Sequence, residues 1–159
     1  MVLSVGHRVP TFTLPDSQGS TRSLEDFLKG GPVVMAFFPF AFSGTCDKEM
    51  CSFRDSSTDL EVVGGRVVGI SVDSVFTLRA FGRTYGLEFP LLSDFNRRVA
   101  RLYGVLEEKW VSLDYRGVAR RAVFIVNRRG ILIHRWMAMN PSDEPPYPEI
   151  FKAVEEAGR

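Results

Sequence analysis

The chain has 159 residues, of which 45% are apolar and 25% charged, and its formal net charge is +1. This length allows a substantial hydrophobic core, and we expect a single domain over residues 1–159. The near-neutral charge gives no support for a nucleic-acid partner or for binding to an anionic membrane surface.

The first half of the chain alternates short apolar runs with polar, helix-compatible segments. Residues 33–38 are all apolar, which is typical of a central strand buried on both faces. Ser23 is placed to cap a short helix, and either Asp73 or Ser74 can cap a later one. The predicted strands are 12–14, 33–38 and 67–72, and the predicted helices are 24–29, a helix from 43–46 to about 60, and a helix from 73–74 to about 85.

The second half contains a short extended piece, a weak helix and one strong hairpin. Residues 105–117 have no clear period and are predicted to form a loop, with Trp110 and Tyr115 at its tip or packed on the body. Strands that alternate with helices, followed by a hairpin and a last helix, predict a mixed α/β sheet covered on both faces. The predicted elements are an extended piece at 89–92, a helix at 96–102, strands at 119–127 and 131–139, an irregular connection at 140–148 and a helix at 149–157.

The segment from Pro39 to Cys51 joins a predicted strand to a predicted helix. This order places Cys46 in the first turn of the helix, where backbone N–H groups lack intrahelical partners and the macrodipole is positive. Both effects favour the thiolate, which is the reactive form of cysteine. Cys46 is therefore the candidate nucleophile.

Four segments match motifs that occur together in one protein family. Pro39, Ser43 and Cys46 form a Pro-x-x-x-Ser-x-x-Cys pattern, and Glu49 follows three residues later. Residues 89–94 read Phe-Pro-Leu-Leu-Ser-Asp, and residues 121–126 begin with Arg-x-x-Phe. Together they resemble the peroxiredoxins, the cysteine-dependent peroxidases. The resemblance implies a thioredoxin-like fold, with a central mixed β-sheet flanked by helices and an N-terminal β extension.

The resemblance also implies roles for the residues around Cys46. Cys46 would be the peroxidatic cysteine, the Ser43 hydroxyl would bind the peroxide and the thiolate, and the Pro39 ring would shield the sulfur from water. From the residues alone, Ser43 could instead be the helix N-cap, and Pro39 could simply end the strand.

Arg121 and Arg120 are adjacent, and consecutive strand residues point to opposite faces. Arg121 has the Arg-x-x-Phe spacing of the active-site arginine, so Arg120 is expected at the surface. A guanidinium keeps its charge, lowers the pKa of a neighbouring thiol and can donate to a peroxide oxygen. A carboxylate would raise that pKa, so we expect Glu49 to face Arg121 or the backbone, or to lie on the plain helix surface.

Cys51 has two interpretations. Five residues along a helix correspond to a rise of about 7.5 Å and a rotation of about 500°, so Cys46 and Cys51 face different sides. A disulfide needs Cα atoms within roughly 7 Å, and its formation would require the first helical turns to unwind. The spacing is similar to that of the resolving cysteine in the bacterioferritin-comigratory-protein branch. The alternative is a buried structural cysteine, as in the one-cysteine alkyl hydroperoxide reductase E branch.

The activity implied by the resemblance is reduction of hydrogen peroxide and alkyl hydroperoxides through a Cys46 sulfenic acid. Cys51 would resolve it as a disulfide, and a thioredoxin-like protein or a low-molecular-weight thiol would restore both thiols. A homodimer is compatible with the resemblance. Two rivals remain, a one-cysteine peroxidase and a non-enzymatic peroxide sensor or holdase. A general disulfide oxidoreductase would be expected to carry Cys-x-x-Cys, which is absent.

The remaining features point to the cytoplasm and to cofactor-free chemistry. No run reaches the roughly 18 apolar residues of a membrane span, and residues 1–8 do not resemble a signal peptide. Two cysteines five positions apart do not form a secreted disulfide scaffold. Neither His7 nor His134 lies at metal-ligand spacing from the cysteines, so we expect no metal site and no Cys–His pair.

Overall fold

A computed structural model describes residues 3–110 and 113–159. Nine strands and five helices are assigned within these residues. In chain order they are β1 (Thr13–Pro15), β2 (Thr21–Ser23), α1 (Leu24–Leu28), β3 (Val33–Phe37), α2 (Thr45–Val62), β4 (Arg66–Ser71), α3 (Val75–Tyr85), β5 (Leu91–Ser93), α4 (Arg98–Leu102), β6 (Leu106–Glu107), β7 (Val118–Ala119), β8 (Ala122–Val126), β9 (Leu132–Met137) and α5 (Tyr147–Ala157).

The core is a five-stranded sheet in the order β5-β4-β3-β8-β9. β3 lies at its centre, parallel to β4 and antiparallel to β8. β4 and β5 are also parallel, so the carboxyl ends of β3, β4 and β5 meet at one edge of the sheet. We call this the carboxyl edge. The antiparallel pairing brings the start of β8 to the same edge, because Phe37 is opposite Ala122. The predicted mixed α/β sheet is confirmed.

Both faces of the sheet are covered because successive residues of β3 point in opposite directions. Val33, Met35 and Phe37 pack on the face covered by α1 and α4. Val34 and Ala36 pack on the face covered by α2, α3 and α5. All five residues are fully buried, which explains the continuous apolar run in the sequence.

The short N-terminal strands form a hairpin, in which Leu14 is opposite Arg22. The predicted N-terminal β extension is therefore confirmed as a hairpin of β1 and β2. Ser23 caps α1 by accepting the Asp26 N–H at 3.2 Å, and Ser74 caps α3 by accepting the Thr77 N–H at 3.2 Å. Among the described residues, no helix is both long enough and apolar enough to traverse a lipid bilayer.

The strand predicted at 119–127 is interrupted, because β7 ends at Ala119 and β8 begins at Ala122. Two further predicted boundaries were wrong. The segment predicted as a loop at 105–117 begins with β6. This strand pairs with β7, and each of the two strands has only two residues. Such short strands produce no detectable periodicity. The last helix begins at Tyr147 rather than at Glu149. Pro148 fits its first turn, because a proline there loses no intrahelical hydrogen bond.

Candidate active site

A tight loop at the carboxyl edge carries the chain from β3 into α2. Phe42 and Gly44 have positive φ angles of 66° and 78°. Glycine adopts this conformation freely, whereas the Phe42 backbone is strained. Gly44 is the N-cap of α2, so Cys46 is the second residue of the helix. Cys46 thus lies in the first turn, as the sequence predicted.

Ser43 does not cap the helix. Gly44 occupies the N-cap position without any side-chain hydrogen bond, and the Ser43 hydroxyl donates to the Phe40 carbonyl at 2.8 Å. The N-cap alternative is wrong because the positive φ at Gly44 adds a residue between Ser43 and the helix. Ser43 nevertheless lies near the thiol and acts to lower its pKa. Pro39 is buried two residues after the end of β3.

Asp73 anchors this loop from the neighbouring strand. Its Oδ2 accepts the Ala41 N–H at 2.7 Å and the Ser71 hydroxyl at 2.7 Å. From the sequence, Asp73 was predicted only as a possible helix cap, a position that Ser74 takes. The position of Asp73 just after β4 could have predicted its contact with the loop after β3, because the carboxyl ends of neighbouring parallel strands lie at the same edge of the sheet.

Arg121 connects the reactive thiol to a carboxyl group. Its Nη1 donates to Cys46 Sγ at 3.1 Å and to Glu49 Oε1 at 3.0 Å. Its Nη2 donates to the Pro141 carbonyl at 3.2 Å. The backbone carbonyl of Arg121 accepts a hydrogen bond from the Ala138 N–H at 2.9 Å. The residues of the cluster therefore come from α2, the start of β8 and the connection before α5.

The cluster is closed to solvent. Cys46 and Glu49 are fully buried, and Arg121 is 1% exposed. Within the described residues, Arg121 Nε and Glu49 Oε2 have no hydrogen-bond partner. An unpaired buried N–H is costly and is available to an incoming acceptor.

Arg120 points away from the thiol. Its Nη2 pairs with Glu107 Oε1 at 2.9 Å, and its guanidinium lies 4.7 Å from the centroid of the Trp110 ring. Arg120 is half-buried by these contacts rather than free in solvent. Both arginines lie in the two-residue connection between β7 and β8 rather than within a strand, and their side chains nevertheless make separate contacts, Arg120 with Glu107 and Arg121 with Cys46.

Burial raises the pKa of the Cys46 thiol above its ordinary value. The positive charge of Arg121 is the largest opposing influence, followed by Ser43 and the Phe40 backbone, while the Glu49 charge adds to the rise. From the sequence we expected the helix N-terminus and Arg121 to favour the thiolate and a nearby carboxylate to oppose it. The rise caused by desolvation was missed, because desolvation depends on packing that a local motif does not reveal.

Burial also raises the pKa of Glu49, to about 7, against the opposing charge and hydrogen bond of Arg121. For Arg121 itself, burial acts to lower the pKa, but the charges of Glu49 and Cys46 outweigh it and leave the pKa above its ordinary value. The guanidinium therefore stays charged while Glu49 titrates near neutral pH.

Residues 5–135 match the AhpC/TSA family. The chain belongs to this family, the peroxiredoxins. Peroxiredoxins are thiol-dependent peroxidases, which use a peroxide substrate and a thiol reductant, and this chain is such an enzyme.

Relatives and solved structures agree with this assignment. The chain is 39% identical over 137 residues to a Coxiella burnetii protein assigned as peroxiredoxin bcp, covering 86% of this chain and 89% of that protein. The crystal structure of peroxidoxin BcpB from Mycobacterium tuberculosis superposes with a TM-score of 0.85 at 30% identity, covering 99% of both chains. A peroxiredoxin-like protein from Aquifex aeolicus superposes with a TM-score of 0.88 at 25% identity, covering 99% of this chain and 89% of that one. The thioredoxin-like fold is confirmed.

In this peroxiredoxin, Cys51 is a free, half-buried thiol on the same helix as Cys46. α2 is continuous from Thr45 to Val62, so both cysteines are held in helical geometry. At this spacing the two side chains leave the helix on different sides and cannot form a disulfide.

The histidines lie away from this cluster. His7 is exposed before β1, and His134 is half-buried on β9, opposite Ile125. In residues 3–110 and 113–159, no group of three or more His, Cys, Asp or Glu side chains is arranged to hold a metal ion.

Replacing Arg121 should slow the first chemical step. Arg121→Ala removes the largest influence that lowers the Cys46 pKa. A hydrogen bond to a charged group typically contributes about 1.5–3 kcal/mol, so we expect oxidation of Cys46 by peroxide to slow by roughly 10- to 100-fold. Stopped-flow oxidation kinetics measure this rate. Arg120→Ala is the matched control, and a larger effect there would contradict the assignment.

Glu49 should make stability depend on pH. Its folded-state pKa of about 7 exceeds its ordinary value of 4.5, so between these values the folded state holds a proton that the unfolded state has lost. The contribution is complete below pH 4.5 and is lost as pH rises toward about 7. We expect Glu49→Gln to remove this decline in the free energy of unfolding, measured with denaturant across the window. The exposed Glu61→Gln on the same helix is the control, and an equal pH profile in both variants would refute the argument.

Proposed function

We propose that this peroxiredoxin reduces hydrogen peroxide and alkyl hydroperoxides at Cys46 and uses Cys51 as its resolving cysteine. The observation that carries the first part is the 3.1 Å contact between Arg121 Nη1 and Cys46 Sγ in the first turn of α2. A guanidinium at that distance stabilises the thiolate and is positioned to meet the peroxide.

The first step is a displacement on oxygen. The Cys46 thiolate attacks the terminal oxygen of the peroxide, an S–O bond forms and the O–O bond breaks. Sulfur is oxidised to a sulfenic acid, and the departing oxygen takes a proton from solvent and leaves as water or an alcohol. Arg121 Nε, which has no partner among the described residues, donates to a peroxide oxygen. The Ser43 hydroxyl turns from the Phe40 carbonyl toward the same substrate, and Pro39 shields the sulfur.

Glu49 acts through Arg121. Its contact at 3.0 Å holds the guanidinium beside the sulfur, and its carboxyl group is fully buried. Because its charge raises the Cys46 pKa, protonation of Glu49 favours the thiolate. Glu49 is therefore a positioning residue rather than a proton donor to the substrate.

The second step joins the two cysteines. The Cys51 sulfur attacks the Cys46 sulfenic acid, a disulfide forms and one molecule of water leaves. The half-exposed position of Cys51 on α2 supports this role, since a purely structural cysteine is usually fully buried. The turns between the cysteines must unwind first.

An external dithiol then regenerates both thiols by exchange, and a thioredoxin-like protein is the proposed reductant. Such a cycle requires a reducing compartment, so we propose that the enzyme works in the cytoplasm. A low-molecular-weight thiol is the alternative reductant, and steady-state turnover with each one distinguishes them.

We further propose a homodimer formed through the carboxyl edge. Large apolar side chains are exposed there on two loops and at the start of α3, with Phe42 47%, Phe76 76% and Phe95 59% exposed. Clustered exposed aromatic residues are typical of an interaction surface.

Light scattering should give twice the mass of one chain, and Phe76→Asp should lower the mass to that of one chain. A single-chain mass for the wild type would reject the dimer.

The catalytic cycle is tested with two cysteine variants. Cys46→Ser should have no peroxidase turnover, whereas Cys51→Ser should react once and then accumulate sulfenic or sulfinic acid unless an external thiol rescues it. After one equivalent of peroxide, the intact mass of the wild type should fall by two hydrogens. A gain of one oxygen in the wild type, or undiminished thioredoxin-dependent turnover in Cys51→Ser, would instead indicate a one-cysteine enzyme. Oxidation without repeated turnover would indicate a sensor.

A further inference from the structure

Tyr85, the last residue of α3, contacts the active-site segment at three points. Its hydroxyl donates to Asp47 Oδ2 at 2.7 Å, and its carbonyl accepts from Arg54 Nη1 at 2.7 Å. Its ring also packs against Phe42, with centroids 6.3 Å apart. None of these contacts belongs to the Cys46–Arg121–Glu49 cluster.

The three contacts surround the part of the chain that must rearrange. Phe42 precedes Cys46, Asp47 lies between the two cysteines and Arg54 follows Cys51. For the two sulfurs to meet, the turns between residues 46 and 51 must leave helical geometry. Asp47 has to move with those turns, so the hydrogen bond from Tyr85 must break or move as well.

The Asp47 carboxylate depends on this hydrogen bond. Its other oxygen, Oδ1, is buried without a partner among the described residues. A buried polar group that loses its hydrogen-bond partner destabilises the folded state, because its desolvation is no longer compensated. The ring of Phe81 packs edge-to-face against the ring of Tyr85, with centroids 5.4 Å apart and planes at 74°.

We propose that Tyr85 is a positioning residue that holds α2 in its helical form and thereby sets the rate at which Cys51 reaches the Cys46 sulfenic acid. This inference rests on the proposed resolving role of Cys51. The sulfenic acid has two fates. Condensation with the Cys51 thiol releases water and gives the disulfide. Alternatively, a second peroxide transfers one oxygen to the sulfur, which gives the sulfinic acid, and the remainder of the peroxide leaves as water or an alcohol. Tyr85 therefore controls how often the enzyme is inactivated by excess peroxide.

Tyr85→Phe removes only the hydroxyl and is the direct test. In the reduced protein, we expect amide exchange across residues 45–54 to accelerate by about tenfold, the factor that corresponds to loss of one charge-assisted hydrogen bond. After oxidation, disulfide formation should accelerate by a similar factor, and the sulfinic fraction measured by mass spectrometry should fall. Asp47→Asn should act in the same direction, and the double variant should add little to either single change.

Tyr115→Phe is the matched control, because Tyr115 packs on Phe40 of the active-site loop with centroids 5.1 Å apart. Exchange and disulfide formation in Tyr85→Phe that equal those of Tyr115→Phe would overturn the inference. Faster exchange without faster disulfide formation would also overturn it. If the wild type forms no intramolecular disulfide, the proposed role of Cys51 fails, and with it the control of resolution by Tyr85. The exchange of the reduced variant then reports separately whether Tyr85 holds the helix.

Discussion

The structure depends on one buried charge, the guanidinium of Arg121. It contacts Cys46, Glu49 and the Pro141 carbonyl within 3.2 Å. A buried cation without such partners would be strongly unfavourable, so these contacts determine how α2, the start of β8 and the connection before α5 meet. The strained loop at Phe42 and its anchor to Asp73 are tolerated because they bring Cys46 to this point.

Burial and charge oppose one another at the thiol. The apolar surroundings that exclude water also raise the pKa of Cys46, and Arg121 is the main influence in the other direction. The same enclosure makes every electrostatic interaction at the sulfur stronger than it would be in water. Glu49 couples this balance to pH, since its own pKa lies at about 7. A closed site that must also admit a peroxide and release Cys46 to Cys51 needs a helix that can open locally while the sheet remains intact.

The sequence was sufficient for the features that depend on neighbouring residues. The apolar run at β3 predicted a strand buried on both faces, and the spacing around Cys46 predicted its place in the first turn of α2. The Arg-x-x-Phe spacing distinguished Arg121 from Arg120. Features that depend on distant residues were missed. The Pro141 carbonyl is 20 positions from Arg121, and Tyr85 is 38 positions from Asp47. The pKa of Cys46 was also misjudged, because desolvation is a sum over the whole packed environment.

The most direct test of this account is a titration of the Cys46 thiolate, followed by its ultraviolet absorbance in Cys51→Ser, where it is the only thiol. Two further variants in that background separate the opposing charges. We expect Arg121→Ala to raise the Cys46 pKa and Glu49→Gln to lower it. Shifts in the same direction, or no shift in either variant, would show that the buried cluster does not control the reactive sulfur.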